Sequence, residues 1–221
     1  MTVLAIILII SALTFMFYAS YNVGSGVYVK AVCRIPTDQK QVALTFDDGI
    51  DDVQTPLVLD VLQRHHIKAT FFLVGERAQA HPDILRRMVA EGHTIGIHTW
   101  QHRNTFPLGS TATITADLQR TRSVLEQLGG QPVTRFRPPF GVTNPPIGKA
   151  ARRLGLTTVG WSIRSHDTNP KRSRTDIVKR IERRLHPGAI ILLHDNRPNS
   201  EELLEKILVM LKQHDYTITN L

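Results

Sequence analysis

Short apolar runs with strand character alternate with amphipathic helical stretches about seven times along this chain. That order dictates a parallel sheet flanked by helices. Residues 42–46, 69–74, 94–98, 157–161, 189–193 and 216–219 read as strands, and Phe136 sits in a further short one. Helices are predicted over 55–65, 82–91, 114–128, 145–154, 176–185 and 201–213. Thr55-Pro56 suits a helix start, and Gly92, Gly129-Gly130 and Gly155 suit helix stops. Residues 41–221 are enough for one domain with a sizeable core. They are fewer than the ~250 residues of a full eightfold barrel. The expected fold is therefore α/β, a distorted and incomplete (β/α) barrel of about seven parallel strands.

Ahead of that domain lies a segment of another kind. From Val3 to Ala19 nearly every residue is apolar, and the first charged side chain is Lys30. A run of about 17–20 such residues can cross a bilayer as a helix. Residues 1–22 are read as a transmembrane anchor, with a cleaved signal sequence as the alternative. A signal sequence calls for Lys or Arg ahead of the apolar run and a clear pair of small residues at the cut site. No basic residue precedes Val3, and small residues gather only loosely around Val23 to Gly26. Residues 23–40 are expected to form a linker. The positive charge beyond the anchor votes for a cytoplasmic domain. Long domains cross membranes regardless of charge, so that vote is weak; the chemistry below favours an extracytoplasmic domain, and the two indications stay in conflict.

The net charge of +8 favours anionic surfaces. The densest basic cluster comprises Lys171, Arg172, Arg174, Lys179, Arg180, Arg183 and Arg184. No aromatic platform is interleaved with it, so it is read as a solvated helix face and no nucleic-acid partner is expected. Cys33 is the single cysteine, which excludes an intrachain disulfide, and it is read as an ordinary thiol.

Polar residues collect where the predicted strands end. Asp47-Asp48-Gly49 follows the first strand, His98 and His102 the third, and Arg137-Pro138-Pro139 the fourth. Asp167 follows the fifth after a few residues, and His194-Asp195 ends the sixth. In parallel α/β folds these strand ends share one face, and that face carries the active site. Adjacent carboxylates repel unless a cation intervenes. Asp-Asp-Gly alone is also good turn chemistry. Two histidines four residues apart can meet one ion from a single helical turn. One Asp with two His leaves a metal position open for water or substrate. The other Asp can then take a proton, His194 can protonate a leaving nitrogen, and Arg137 can orient the base.

Five stretches in this order resemble the polysaccharide deacetylase family (the NodB homology domain, carbohydrate esterase family 4). They are Thr45-Phe46-Asp47-Asp48-Gly49, His98-Thr99-Trp100-Gln101-His102, Arg137-Pro138-Pro139-Phe140-Gly141, Trp161 through Asp167, and Leu192-Leu193-His194-Asp195. The resemblance covers roughly Lys40 to Leu221 and implies a catalytic domain over 41–221. It implies that Asp47 is the general base, positioned by Arg137, and that His194 is the general acid. Asp167 would orient Arg137 or tune His194. Asp48, His98 and His102 would hold one divalent metal ion, usually Zn2+. The backbone N–H of Phe140 would stabilise the oxyanion. Trp161 and Leu192 would form the acetyl pocket, with Pro138 also at the substrate. One departure touches substrate choice: the family's fourth motif often has Trp directly after its Asp, and here Thr168 follows Asp167.

The resemblance implies removal of N-acetyl groups from N-acetylglucosamine-type residues of peptidoglycan or a chitin-like glycan. Two alternatives are an O-acetyl esterase or other amidase on the same metal site, and a glycan-binding domain without turnover. The partners expected are an acetylated polysaccharide or oligosaccharide and, through the N-terminal helix, the cell membrane. A degenerate binding domain should have lost Asp47 or His194, and both are present.

Overall fold

The computed structural model describes residues 2–221. Helix α1 (Thr2–Tyr21) has most of its side chains exposed and meets the rest of the chain at its last turn. Its stretch Val3–Tyr21 has a mean hydropathy of 2.4. At 1.5 Å per residue, 19 residues span about 28 Å, close to a bilayer's ~30 Å hydrocarbon core.

The domain that follows runs β1 (Gln41–Asp47), α2 (Gln54–Arg64), β2 (Thr70–Leu73), α3 (Gly75–Ala80), α4 (Pro82–Ala90) and β3 (Thr94–Ile97). Then come α5 (Thr111–Gly129), β4 (Arg135–Phe136), α6 (Pro145–Arg153), β5 (Thr157–Thr158) and β6 (Ile163–Arg164). It closes with α7 (Arg174–Glu182), β7 (Ala189–His194), α8 (Ser200–Gln213) and β8 (Thr217–Ile218). Every strand pairing is parallel, in the order β5-β4-β3-β2-β1-β7-β6, and β8 joins the start of β1. This is the incomplete α/β barrel that the alternation predicts.

Burial explains the strand sequences. Strands covered on both faces need no polar alternation. In β1 six successive residues from Val42 to Asp47 are buried, and in β7 five from Ala189 to Leu193. Val42, Leu44, Phe46, Ala189, Ile191 and Leu193 join Phe71, Ile97 and Phe136 and the inner faces of α2, α5 and α8 in one core, while Ala43 and Ile190 pack with Phe72 and Val159 in a smaller one on the other face of the sheet. Local chemistry sets the helix ends. Ser110 caps α5 by accepting from the Thr113 N–H, and Gly130 closes it at φ +68°. Asn144 caps α6 ahead of Pro145-Pro146, and Ser173 with Asp176 forms a capping box on α7.

Four details differ from the sequence expectation. The strand predicted over 157–161 is shortened to β5, and a further strand not predicted, β6, follows it at the opposite edge of the sheet. Only residues 159–162 join them, so the two edges come close and the barrel curls almost shut. Helix α2 takes its cap from Asp51, whose Oδ1 accepts from the N–H groups of Val53 and Gln54, and not from Thr55. Helix α3 is too short for helical periodicity to reveal. Residues 23–40, expected as a linker, lie against the barrel instead. Val23 and Val29 are buried, Val32 pairs with Val159 beyond β5, and Arg34 pairs with Ala189 in β7. The segment fills the seam between the sheet edges, where unpaired backbone groups would otherwise be left.

Candidate active site

The strand register brings the polar clusters to one rim. Asp47 lies opposite Phe72 of β2 and His194 of β7, and Ile97, just before His98, lies opposite Phe136, just before Arg137. A cavity of about 390 Å³ opens there, lined in part by Asp47, Asp48, His98, His102, Trp161 and His194.

Asp48, His98 and His102 each offer a ligand atom, and the three atoms lie within 4.8 Å of one another. The Nε2 atoms of His98 and His102 both stand 3.4 Å from Asp48 Oδ1. That buried oxygen has no hydrogen-bond partner in the protein, which is costly for a carboxylate. His98 Nδ1 lies 2.8 Å from the Arg137 carbonyl. The carbonyl can only accept, so Nδ1 carries the proton and Nε2 keeps its lone pair toward the site. An orphaned carboxylate oxygen facing two imidazole nitrogens suits a divalent ion such as zinc. Burial opposes charge on Asp48. The nearby imidazoles His98, His102 and His194, with His98 the foremost, outweigh it and hold the carboxyl well below its usual range. Burial, reinforced by His98, pushes the His102 imidazole below its ordinary value and favours the neutral ligand form.

The histidine pair reaches the site by a different route from the helical turn expected for it. His98 directly follows β3, while Thr99 and His102 adopt left-handed φ values of +66° and +52° in a loop. The Thr99 hydroxyl accepts from the His102 N–H and fixes that turn. The ring centroids end 4.8 Å apart.

Asp47 is anchored from below. Arg137 is fully enclosed and donates to Asp47 Oδ1 at 2.7 Å, to Thr45 Oγ1 at 2.9 Å and to the Gly160 carbonyl at 2.8 Å. Its guanidinium lies 4.1 Å from the Phe72 ring centroid. Burial lowers its pKa and Asp47 opposes that change.

On the opposite wall, Asp167 Oδ1 lies 2.8 Å from His194 Nδ1, and Oδ2 accepts the His194 N–H at 2.7 Å. Asp167 thus contacts His194, of the two partners open to it in the sequence. Burial would lower the His194 pKa, but the Asp167 hydrogen bond and charge outweigh it and raise it above the ordinary value. His194 Nε2 faces the site, 4.0 Å from Asp48 Oδ2. Asp195, beside it, is fully buried and is pushed up to about 7 by that burial, despite a hydrogen bond from Thr55.

Phe140, Trp161 and Leu192 line the cavity. Pro138 does not. It is buried, and its carbonyl accepts from the Gly141 N–H in the turn that bears Phe140. Phe140 has a φ of +60° and Gly141 one of +71°. A side chain on Gly141 would strike the Trp161 ring, so the turn needs glycine there for space as well as for φ. Sequence reading missed several lining residues: Arg77, Gln101, Arg164, Asn196 and Arg197, with Thr168 noted only as a departure. Arg77 was within reach of the strand-end rule, because α3 follows β2 directly and Arg77 donates to the Asp48 carbonyl.

Comparison with known proteins agrees with this geometry. The sequence profile of the polysaccharide deacetylase family matches residues 34–159. The peptidoglycan-N-acetylglucosamine deacetylase PgdA of Listeria monocytogenes is 34% identical over 87% of this chain. That match covers 40% of the Listeria protein, so the chain spans well under half the length of this relative. A chitooligosaccharide deacetylase of Sinorhizobium fredii is 37% identical over 79% of this chain and 80% of its own length. Among solved structures, a carbohydrate esterase family 4 pseudoenzyme from Bacillus anthracis superposes with a TM-score of 0.80. It is 28% identical, over 86% of this chain and 67% of that one. The chain belongs to the polysaccharide deacetylase family.

Proposed function

We propose that this chain is a metal-dependent deacetylase that cleaves the N-acetyl amide of N-acetylglucosamine-type residues in peptidoglycan or a chitin-like glycan. One observation carries the reading. The orphaned Asp48 Oδ1 faces two imidazole nitrogens at 3.4 Å, beside an Asp47 held by Arg137 and across from a His194 held by Asp167. Asp48, His98 and His102 would hold the ion. Bound there, a divalent ion supplies Lewis acidity to the amide and lets water lose a proton near neutral pH.

The side chains divide the remaining work. Asp47 accepts the proton of the attacking water, and Arg137 keeps its carboxylate aimed. The oxygen of that water bonds to the acetyl carbon, and the Phe140 N–H shares the charge that develops on the carbonyl oxygen. His194, charged more readily because of Asp167, gives its proton to the glycan nitrogen as the carbon–nitrogen bond breaks. Acetate and a free amino sugar leave. Trp161 and Leu192 enclose the methyl group. Helix α1 serves as the membrane anchor, with the catalytic domain outside the cytoplasm; a cleaved signal sequence is the other reading of the same helix.

A second reading, an O-acetyl esterase on the same residues, draws on Thr168, which lines the cavity where the family often carries Trp. The test is acetate release from chitooligosaccharides, peptidoglycan and acetylated xylan, with chelator and after metal is restored. The proposal expects new amines on one of the first two, lost with chelator and regained with metal. Release from xylan alone would favour the esterase. Retention of glycan without any acetate would favour a binding domain without turnover.

A further inference from the structure

We propose that the anchor fixes the barrel with its catalytic rim against the lipid headgroup layer, so that the substrate is an acetylated glycan lying at the membrane surface. This rests on the reading of α1 as a membrane span and of the cavity as a deacetylase site.

Three independent features point to this mounting. The first is where α1 ends. Its last turn carries Tyr18 and Tyr21, 51% and 61% exposed, with Tyr21 stacked on Phe17. Exposed tyrosines at the end of an apolar span sit at headgroup level.

The second is that the same turn is bonded to the barrel. Thr143 donates its N–H to the Ser20 carbonyl at 2.8 Å and its hydroxyl to the Ala19 carbonyl at 3.1 Å. Ser25 turns back to donate to Ala19 as well. Ala19 is fully buried, and Val23 packs toward Gly160 beyond β5. A tethering linker would leave these groups to water. Here they hold the helix end in one position.

The third is where the contact lies. Thr143 is three residues from Phe140 on the cavity wall, at most about 11 Å along the chain. The headgroup layer is itself roughly 5–7 Å thick. The cavity mouth therefore opens at, or just above, the headgroups. Beside this point Asn144 donates to the Pro107 carbonyl and ties down the loop that bears Leu108. Leu108 is 84% exposed, the highest value for a large apolar side chain among the described residues. An apolar tip at that height gains by entering the interface. The opposite end of the barrel, near Asp38, lies about 20 Å away along the seven residues of β1.

The full chain in phosphatidylcholine–phosphatidylglycerol vesicles tests the mounting in two ways. The first reads height by energy transfer to acceptor-labelled headgroups. Donors are placed at Asn104→Cys on the catalytic end or Asp38→Cys on the far end, in a Cys33→Ser background. Transfer should be clearly stronger from position 104. A ten-residue Gly-Ser insert between Tyr18 and Ala19, which leaves the docked Ala19 and Ser20 on the barrel but frees the span, should erase the difference. Equal transfer from both positions in the parent chain, or stronger transfer from position 38, overturns the proposal. The second compares turnover of free chitotetraose with chitotetraose joined by a short linker to a dialkylglycerol lipid. The lipid-linked form should react at least tenfold faster at equal bulk concentration. The insert should reduce that advantage while leaving the free sugar's rate unchanged, which also shows that the variant folds. No advantage for the lipid-linked sugar overturns the proposal. Strong transfer asymmetry with neither sugar cut would uphold the mounting and refute the deacetylase reading instead.

Discussion

Replacing Arg137 with Met should destabilise the domain even though methionine fills much of the same space. Arg137 is fully buried, and the Asp47 side chain it pairs with is 5% exposed. The substitution leaves that carboxylate without its cation and removes the donor to the Gly160 carbonyl. Breaking a buried ion pair from one side costs about 3–5 kcal/mol. Methionine recovers part of the packing against Phe72, and the burial of the guanidinium is no longer opposed, so about 3 kcal/mol is the expected net loss. For a domain of this size each kcal/mol moves Tm by roughly 2–4 °C, giving a fall of about 6–12 °C. The assay is thermal unfolding of the full chain in detergent, followed by circular dichroism. Chelator is kept present throughout, because a bound ion would stabilise the folded state by itself. The double variant Arg137→Met with Asp47→Asn removes the stranded charge. It should be more stable than Arg137→Met alone by about 2 kcal/mol, a coupling normal for residues in direct contact. A single variant within 1 kcal/mol of the parent, or a double variant no more stable than the single, would refute the claim that this pair is electrostatically linked.

Two further outcomes follow from the same contacts. Asp167 raises the His194 pKa, so a reaction that needs protonated His194 is fully active below that pKa and declines as pH rises through it. Asp167→Asn should therefore move the alkaline limb of the pH–rate profile to lower pH, and an unmoved limb would remove His194 from the role of acid. Gly148→Ala places a methyl group against the Tyr28 backbone carbonyl, so it should lower stability by roughly 1–3 kcal/mol if residues 23–40 are docked as described, and by almost nothing if they are a free linker.

Much of the fold was legible because buried parallel strands leave an unmistakable apolar signature, as in Val42–Phe46 and Ala189–Leu193. The convergence of Asp47, His98, Arg137 and His194 was legible too, because strand ends in such a sheet share a rim. What stayed hidden lacked periodicity. Strands β5 and β6 have two residues each, too few for a two-residue period to mark where either begins or ends. The seam-filling segment looks like a linker because its contacts are made mostly by backbone groups. The loop that brings His102 to His98 depends on left-handed residues at Thr99 and His102, neither of which is the glycine that would signal such a turn. Arg77 went unnoticed because its helix has only six residues.

The central claim is that Asp48, His98 and His102 hold a divalent ion that Asp47 exploits without binding it. Metal content per chain, measured alongside acetate release for the parent, Asp47→Asn and His98→Ala, tests it most directly. The parent should carry one ion and release acetate, Asp47→Asn should keep the ion and fall silent, and His98→Ala should lose both. Loss of the ion from Asp47→Asn and His98→Ala alike, or a fully active parent free of any metal, would contradict the account.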